Sequence, residues 1–185
     1  MVSHPPIVQV DDSGNVIDPI MYKDAHNAHR PVRHATSHVL VFDSPRFERV
    51  LLQKRGGSAD KPGAYDSSAT GHIDWIVDED RPMTPEETAF KEFSEELFHR
   101  RAPQCISLEF ITTCLKHTRP ADREFNYIFR AVHPGPFHPN PNEVSEATFF
   151  GIDFLLEDIE RNRLDYTDSV WHILSKYLEA TDRYR

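Results

Sequence analysis

Glu92, Glu95 and Glu96 stand at positions i, i+3 and i+4, the spacing that places three carboxylates on one face of a helix. Such a face works against itself. Like charges at these separations destabilise a helix by roughly 0.2–0.5 kcal/mol per pair, and two of the three sit towards the C-terminal end, where the helix dipole disfavours negative charge. A divalent cation offsets both penalties, and hard ions such as Mg²⁺ or Mn²⁺ prefer oxygen ligands of this kind. Taken alone, E-x-x-E-E is more often a solvated acidic face than a metal site, so its surroundings decide.

The element that must carry these carboxylates is a helix over Thr84–Leu97. Thr84 can cap it, Pro85 suits its first turn, and Glu87 stands three residues after the cap. Ala89, Phe90, Phe93 and Leu97 are expected to bury one broad face, with Glu87 and Lys91 forming an outward i,i+4 pair. Elsewhere the pattern alternates as strands do. Ile7–Val10 and Val16–Ile20 flank the turn Asp11–Asn15, and Ser37–Phe42 and Arg49–Lys54 form a hairpin. Further strands are expected at Ser107–Lys116, Glu124–Val132 and Ala147–Ile152. Tyr22–His29 reads as one or two helical turns, Asp78–Pro82 as an acidic loop and Asp153–Glu160 as a short helix. Thr167–Ala180 reads as an amphipathic helix capped by Thr167, with Trp171 and Tyr177 as core residues. Asp122, Asp165 and Asp168 read as turn or cap residues. The sum is an α+β fold, a three-layer α/β/α sandwich with a mixed sheet.

With 185 residues, 38% of them hydrophobic, the chain has the length and apolar content of one domain spanning 1–185, and no linker composition divides it. Its formal net charge of -9 argues against a nucleic-acid polymer as partner. A bound divalent ion would still allow an anionic small molecule. Cys105 and Cys114 form no C-x-x-C pair, which suits reduced thiols in a cytoplasmic protein. The N-terminal residues do not read as a signal peptide, and no apolar run approaches ~18 residues, so no membrane partner is expected. A homodimer is compatible with this reading.

Gly71-His72-Ile73, followed by the segment from Glu86 to Leu97 with Lys91-Glu92-Phe93-Ser94-Glu95-Glu96 at its centre, resembles the Nudix box, G-x5-E-x7-R-E-U-x-E-E-x-G-U. Lys91 stands for the arginine and Phe93 for the aliphatic U. The segment from HVLVF through RVLLQKR to DKPGAYDSSATGHID resembles Nudix proteins related to isopentenyl diphosphate isomerase, and Asn142–Ala147 resembles a later N-E-V-x-E segment. The match spans about Val8–Leu156. Two departures stand out. Lys91 lies twenty positions after Gly71, where the motif has fourteen, so an insertion of six falls in IVDEDRPMT and leaves Asp78 or Glu79 to replace the first glutamate. Phe98 and His99 occupy the late glycine and aliphatic positions, so the helix must exit by another turn.

The resemblance implies a Nudix fold and a metal-dependent hydrolase that cleaves the diphosphate linkage of a nucleoside diphosphate derivative or similar small molecule. Glu92, Glu95, Glu96 and the backbone of Gly71 would hold Mg²⁺ or Mn²⁺, with the same glutamates catalytic. Lys54, Arg55, Lys61 and Glu143 would contact substrate, and Glu95 or a glutamate of the Glu143/Glu146 loop would take the proton of the attacking water. One alternative is a Nudix domain that binds a nucleotide or partner without turnover. Another is an isopentenyl diphosphate isomerase. His34, His72 and Glu124 fall at positions resembling that enzyme's metal site, with Asn27 at the upstream histidine and His26 and His29 beside it. Thr70 stands where the isomerase carries its proton-transferring cysteine.

Overall fold

The computed structural model describes residues 5–57, 61–99, 106–119 and 122–183, the side chains of 117–119 excepted; Cys105 lies outside them. In chain order the strands are β1 (Ile7–Val10), β2 (Val16–Ile20), β3 (His34–Phe42), β4 (Arg49–Arg55), β5 (Tyr65–Asp66), β6 (Ala69–His72), β7 (Trp75–Ile76), β8 (Arg81–Pro82), β9 (Glu109–Arg119), β10 (Asp122–Val132) and β11 (Val144–Gly151). The helices are α1 (Tyr22–Ala25), α2 (Pro85–Phe98), α3 (Ile152–Arg161) and α4 (Asp168–Ala180). The expected three-layer α+β arrangement is present, with a mixed sheet between α2 and the pair α3, α4.

Period-two alternation explains the layering. On β3, Leu40 and Phe42 join Val50 and Leu52 of β4 in a core shared with Ile159, Ile173 and Tyr177 of α3 and α4. The intervening Val39, Val41 and Leu51 point to the other face, against Ala89, Phe93 and Leu97 of α2. Trp171 packs at the edge of the first core and Tyr177 lies within it. Phe90, expected inside, is 42% exposed, because it falls beyond the edge of the apolar stripe set by Ala89, Phe93 and Leu97.

The expected β3–β4 hairpin exists only at its base, where Phe42 pairs with Val50. Beyond that point the strands splay. β3 takes β6 as antiparallel neighbour through Thr36↔His72 to Val39↔Ala69, and β4 takes β11. Ser68 spans the opening: its hydroxyl accepts from the Val41 amide at 2.8 Å and donates to the Leu51 carbonyl at 2.5 Å. On its other side β3 pairs in parallel with β10, from Glu124↔His34 to Val132↔Phe42. The inserted segment is a small β7–β8 hairpin with a short 3-10 turn at Val77–Glu79, more ordered than an acidic loop.

Helix α2 starts as its sequence requires. The Thr84 side chain accepts from the Glu87 amide at 3.1 Å, and the Glu87 carboxylate accepts from the Thr84 amide at 2.7 Å. It ends on His99 at φ 48°, a left-handed residue with a Cβ where glycine is usual. Thr167 precedes α4 as expected but makes no side-chain cap; its hydroxyl donates to Asp66 Oδ1 at 2.9 Å.

Candidate metal and substrate cleft

Thr36 and His38 of β3 line a cleft of about 630 Å³. His34, Thr36 and His38 continue the face that buries Leu40 and Phe42, and they are 0%, 3% and 2% exposed. Beyond the end of the apolar core this face meets other polar groups. Thr36 donates to Asn126 Oδ1 at 2.7 Å, and His38 Nε2 lies 3.0 Å from the same oxygen. Burial pushes the His38 ring down to about 4, with the positive charge of Lys116 acting in the same direction.

One pole of the cleft is carboxylate-rich. Glu92 and Glu96 of α2 reach it past β6. Gly71 makes the approach possible, because a Cβ there would fall on the Glu92 carboxylate. Glu96 accepts from the Thr70 amide at 2.9 Å and from Gln53 Nε2 at 3.2 Å, while Gln53 Oε1 is buried without a partner. Burial and the neighbouring Glu92 push the Glu96 carboxyl well above the usual range. Burial raises Glu92 to about 7, against the opposing pull of Lys91. Two carboxylates held together, with a cradle only glycine leaves open, suit a hard divalent cation. Glu95 does not line the cleft, although its charge adds to the upward push on Glu92.

Lys91 does not pair with Glu87. Its ammonium bridges Asp74 and Glu92, at 3.0 Å from each, and Glu87 instead accepts from Arg81 at 3.0 Å. Neither Asp78 nor Glu79 reaches the cleft: Asp78 is exposed and Glu79 binds Arg81 at 2.6 Å. Asp74, just before the insertion, is the acid that braces the motif's cation. Sequence reasoning missed it because the insertion breaks the spacing by which it would be sought.

Of the candidate substrate contacts, Arg55, Lys61 and Glu143 line the cleft and Lys54 does not. Strand alternation is the reason. Gln53 and Arg55 face the cleft, whereas Lys54 points the other way, with its ammonium 5.5 Å from the Tyr65 ring centre. Arg55 is held by Asp66 at 2.6 Å, and Lys61 lies 3.6 Å from Asp168, so both cations are pre-positioned. Glu146 lies outside the cleft, accepting from the Thr148 hydroxyl at 2.7 Å.

The other pole is histidine-rich. His26, His34 and His72 bring one nitrogen each within 4.8 Å of one another, and His34, Asp122 and Glu124 form a second such group. The carbonyl of Val32 lies 2.9 Å from His34 Nδ1, and that of Tyr22 lies 3.0 Å from His26 Nδ1. A carbonyl only accepts, so each Nδ1 carries the proton and each Nε2 offers a lone pair. His34 Nε2 and His72 Nε2 are buried with no partner. This orphaned, neutral nitrogen set fits a transition metal, since a ligand histidine normally has its second nitrogen tied in this way. Burial lowers His34 to about 4 and His72 well below its ordinary value. The upstream member is His26. Asn27 turns its side-chain oxygen to the His29 amide at 2.9 Å. Asp122, read as a turn residue, opens β10 beside Glu124.

Between the poles Lys116 is buried, and its ammonium contacts Asp122, Glu124 and Ser169 at 2.9, 3.1 and 2.9 Å. Burial alone would lower its pKa, but the charges of Glu124 and Asp122 prevail and raise it. Burial pushes Glu124 up to about 8. Asp122 also pays for its burial, but Glu124's hydrogen bond and Lys116 hold it below the usual carboxylate range.

The NUDIX domain model matches residues 32–169, most of the chain and all of the cleft's principal strands. The chain belongs to the Nudix family. No curated protein matched it significantly. Among solved structures, this Nudix chain resembles DR0079 of Deinococcus radiodurans at 17% identity and TM-score 0.69, covering 97% of this chain and 99% of that one. The MutT Nudix hydrolase of Burkholderia pseudomallei aligns at 17% identity and TM-score 0.53, covering 80% and 97%. The Nudix domain of Shewanella oneidensis NrtR, crystallised with ADP ribose, aligns at 16% identity and TM-score 0.57, covering 86% and 93%. At these identities the likeness is one of fold. Among the described residues no helix is long and apolar enough to cross a membrane.

Proposed function

We propose that this Nudix chain is a divalent-cation-dependent hydrolase that splits the diphosphate linkage of a nucleoside diphosphate derivative or similar small molecule. The observation that carries the reading is the meeting of Glu92 and Glu96 with Arg55, Lys61 and Glu143 around one cleft. Glu92, Glu96 and the Gly71 backbone, with Glu95 adjoining, would hold Mg²⁺ or Mn²⁺, which neutralises phosphate charge and makes a bound water more acidic. The chain's own groups do the rest. The Thr70 amide and Gln53 fix Glu96, and Lys91 fixes Glu92. Arg55, steadied by Asp66, and Lys61 take the phosphate oxygens at the other wall. Glu143, a lining glutamate outside the metal set and on the wall shared with Arg55 and Lys61, receives the proton of the attacking water; Asn140 Nδ2 donates to it at 3.0 Å.

The test is turnover of nucleotide sugars, dinucleotides, oxidised nucleotides and prenyl diphosphates with Mg²⁺ and with Mn²⁺. At least one class should be hydrolysed, and Glu96→Gln should slow it by at least ~10²-fold with the fold retained. Turnover by Glu96→Gln at the parental rate, or none across the panel, would defeat the reading.

A further inference from the structure

Lys116 occupies an unusual place. It lies on β9 opposite Glu124 of β10, and its side chain is 3% exposed. An ammonium has three donors, and all three are used, on Asp122 Oδ2, Glu124 Oε2 and Ser169 Oγ. Yet Asp122 and Glu124 are also the two carboxylates that close on His34 as a metal-ligating group. The same anionic pair therefore faces two claimants, the lysine already seated and any cation drawn by the orphaned nitrogens of His34 and His72. A divalent ion bound there would lie against a like-charged ammonium in a buried site where screening is weak.

We propose that Lys116 is a built-in competitor for this site: its ammonium and a nitrogen-preferring divalent ion such as Zn²⁺ or Co²⁺ hold Asp122 and Glu124 alternately. While the lysine is seated, only the neutral histidines are on offer and the ion binds weakly. When the ion takes a carboxylate, Lys116 is released into the cleft it already lines, where its charge faces an anionic ligand. Loading the histidine pole thus delivers a cationic side chain to the substrate space. Mg²⁺ is a poor occupant, since it disfavours imidazole ligands. The inference needs only the histidine pole and stands apart from hydrolysis at Glu92 and Glu96.

The experiment is titration of the intact, metal-free protein with Co²⁺, read by visible absorption, which reports nitrogen ligation and not turnover. The parent should take one Co²⁺ with a ligand-field band that His72→Ala and His34→Asn each abolish. Lys116→Met and Lys116→Gln should both tighten binding at least tenfold; the glutamine variant retains donors for the buried carboxylates and guards against misfolding in the first. A crystal of the parent protein soaked in Zn²⁺ should show the ion on the histidine nitrogens and Lys116 withdrawn from Asp122 and Glu124. The proposal is overturned if no nitrogen-ligated ion binds, if the band survives both histidine substitutions, or if the folded lysine variants bind no tighter than the parent. An ion seated with the three Lys116 contacts intact would overturn it equally.

Discussion

Glu92→Gln should stabilise the metal-free protein while disabling it. Burial raises the Glu92 carboxyl from 4.5 to about 7. Because the folded value lies above the unfolded one, this group's contribution is fully favourable below pH ~4.5. It is lost as pH rises towards 7, and thereafter the buried carboxylate is a constant burden. At about 1.4 kcal/mol per pH unit the burden at pH 8 is at most about 3.5 kcal/mol. Glutamine removes it while keeping an oxygen for Lys91, which also retains Asp74 at 3.0 Å. For a chain of this size 1 kcal/mol corresponds to roughly 2–4 °C, so Glu92→Gln should melt ~3–10 °C above the parent in EDTA at pH 8. The gap should close at pH 4. Saturating Mg²⁺ should also narrow it, by raising the parent alone. The assay is thermal unfolding across pH, with and without chelator. If Glu92→Gln melts below the parent at pH 8 in EDTA, or gains as much from Mg²⁺, Glu92 is not a strained carboxylate awaiting a cation.

Gly71→Ala should lower Mg²⁺ affinity and hydrolysis by at least ~10-fold, since its Cβ would fall on the Glu92 carboxylate; calorimetric Mg²⁺ titration checks it. His99→Gly should stabilise by about 1 kcal/mol in urea unfolding, because the position is left-handed at φ 48°. No deuterium should enter isopentenyl diphosphate from heavy water on NMR, with either metal. Thr70 lines the cleft, and a threonine hydroxyl cannot exchange a proton with carbon as a tuned thiol can.

The layered fold and the acidic helix α2 were legible in the sequence because their signals are local. The cap at Thr84, the stripe Ala89–Phe93–Leu97 and the alternation of β3 and β4 each lie within one element. The cleft was less so. His34, Thr36 and His38 are polar residues on an inward face, so the alternation that marks β3 fails at its N-terminal end, and the expected strand begins at Ser37 instead of His34. Lys54 and Arg55 look equivalent until the pairing of β4 fixes which side each takes. His26, Asp74, Lys116 and Asp122 come from four separate segments joined only by tertiary contact, and no spacing rule connects them.

The parallel pairing of β3 with β10 sets when the cleft can exist during synthesis. His34 meets Glu124 across a register between segments far apart in the chain, and Thr167 and Ser169 at the start of α4 supply further bonds to Asp66 and Lys116. A nascent chain that has emerged only through α2 carries the acidic helix without the strand opposite it. Such non-local pairing is slow to form. The emerging glutamates therefore meet solvent before β10 stands across the cleft from them, and His34 cannot meet Asp122 and Glu124 until β10 has emerged.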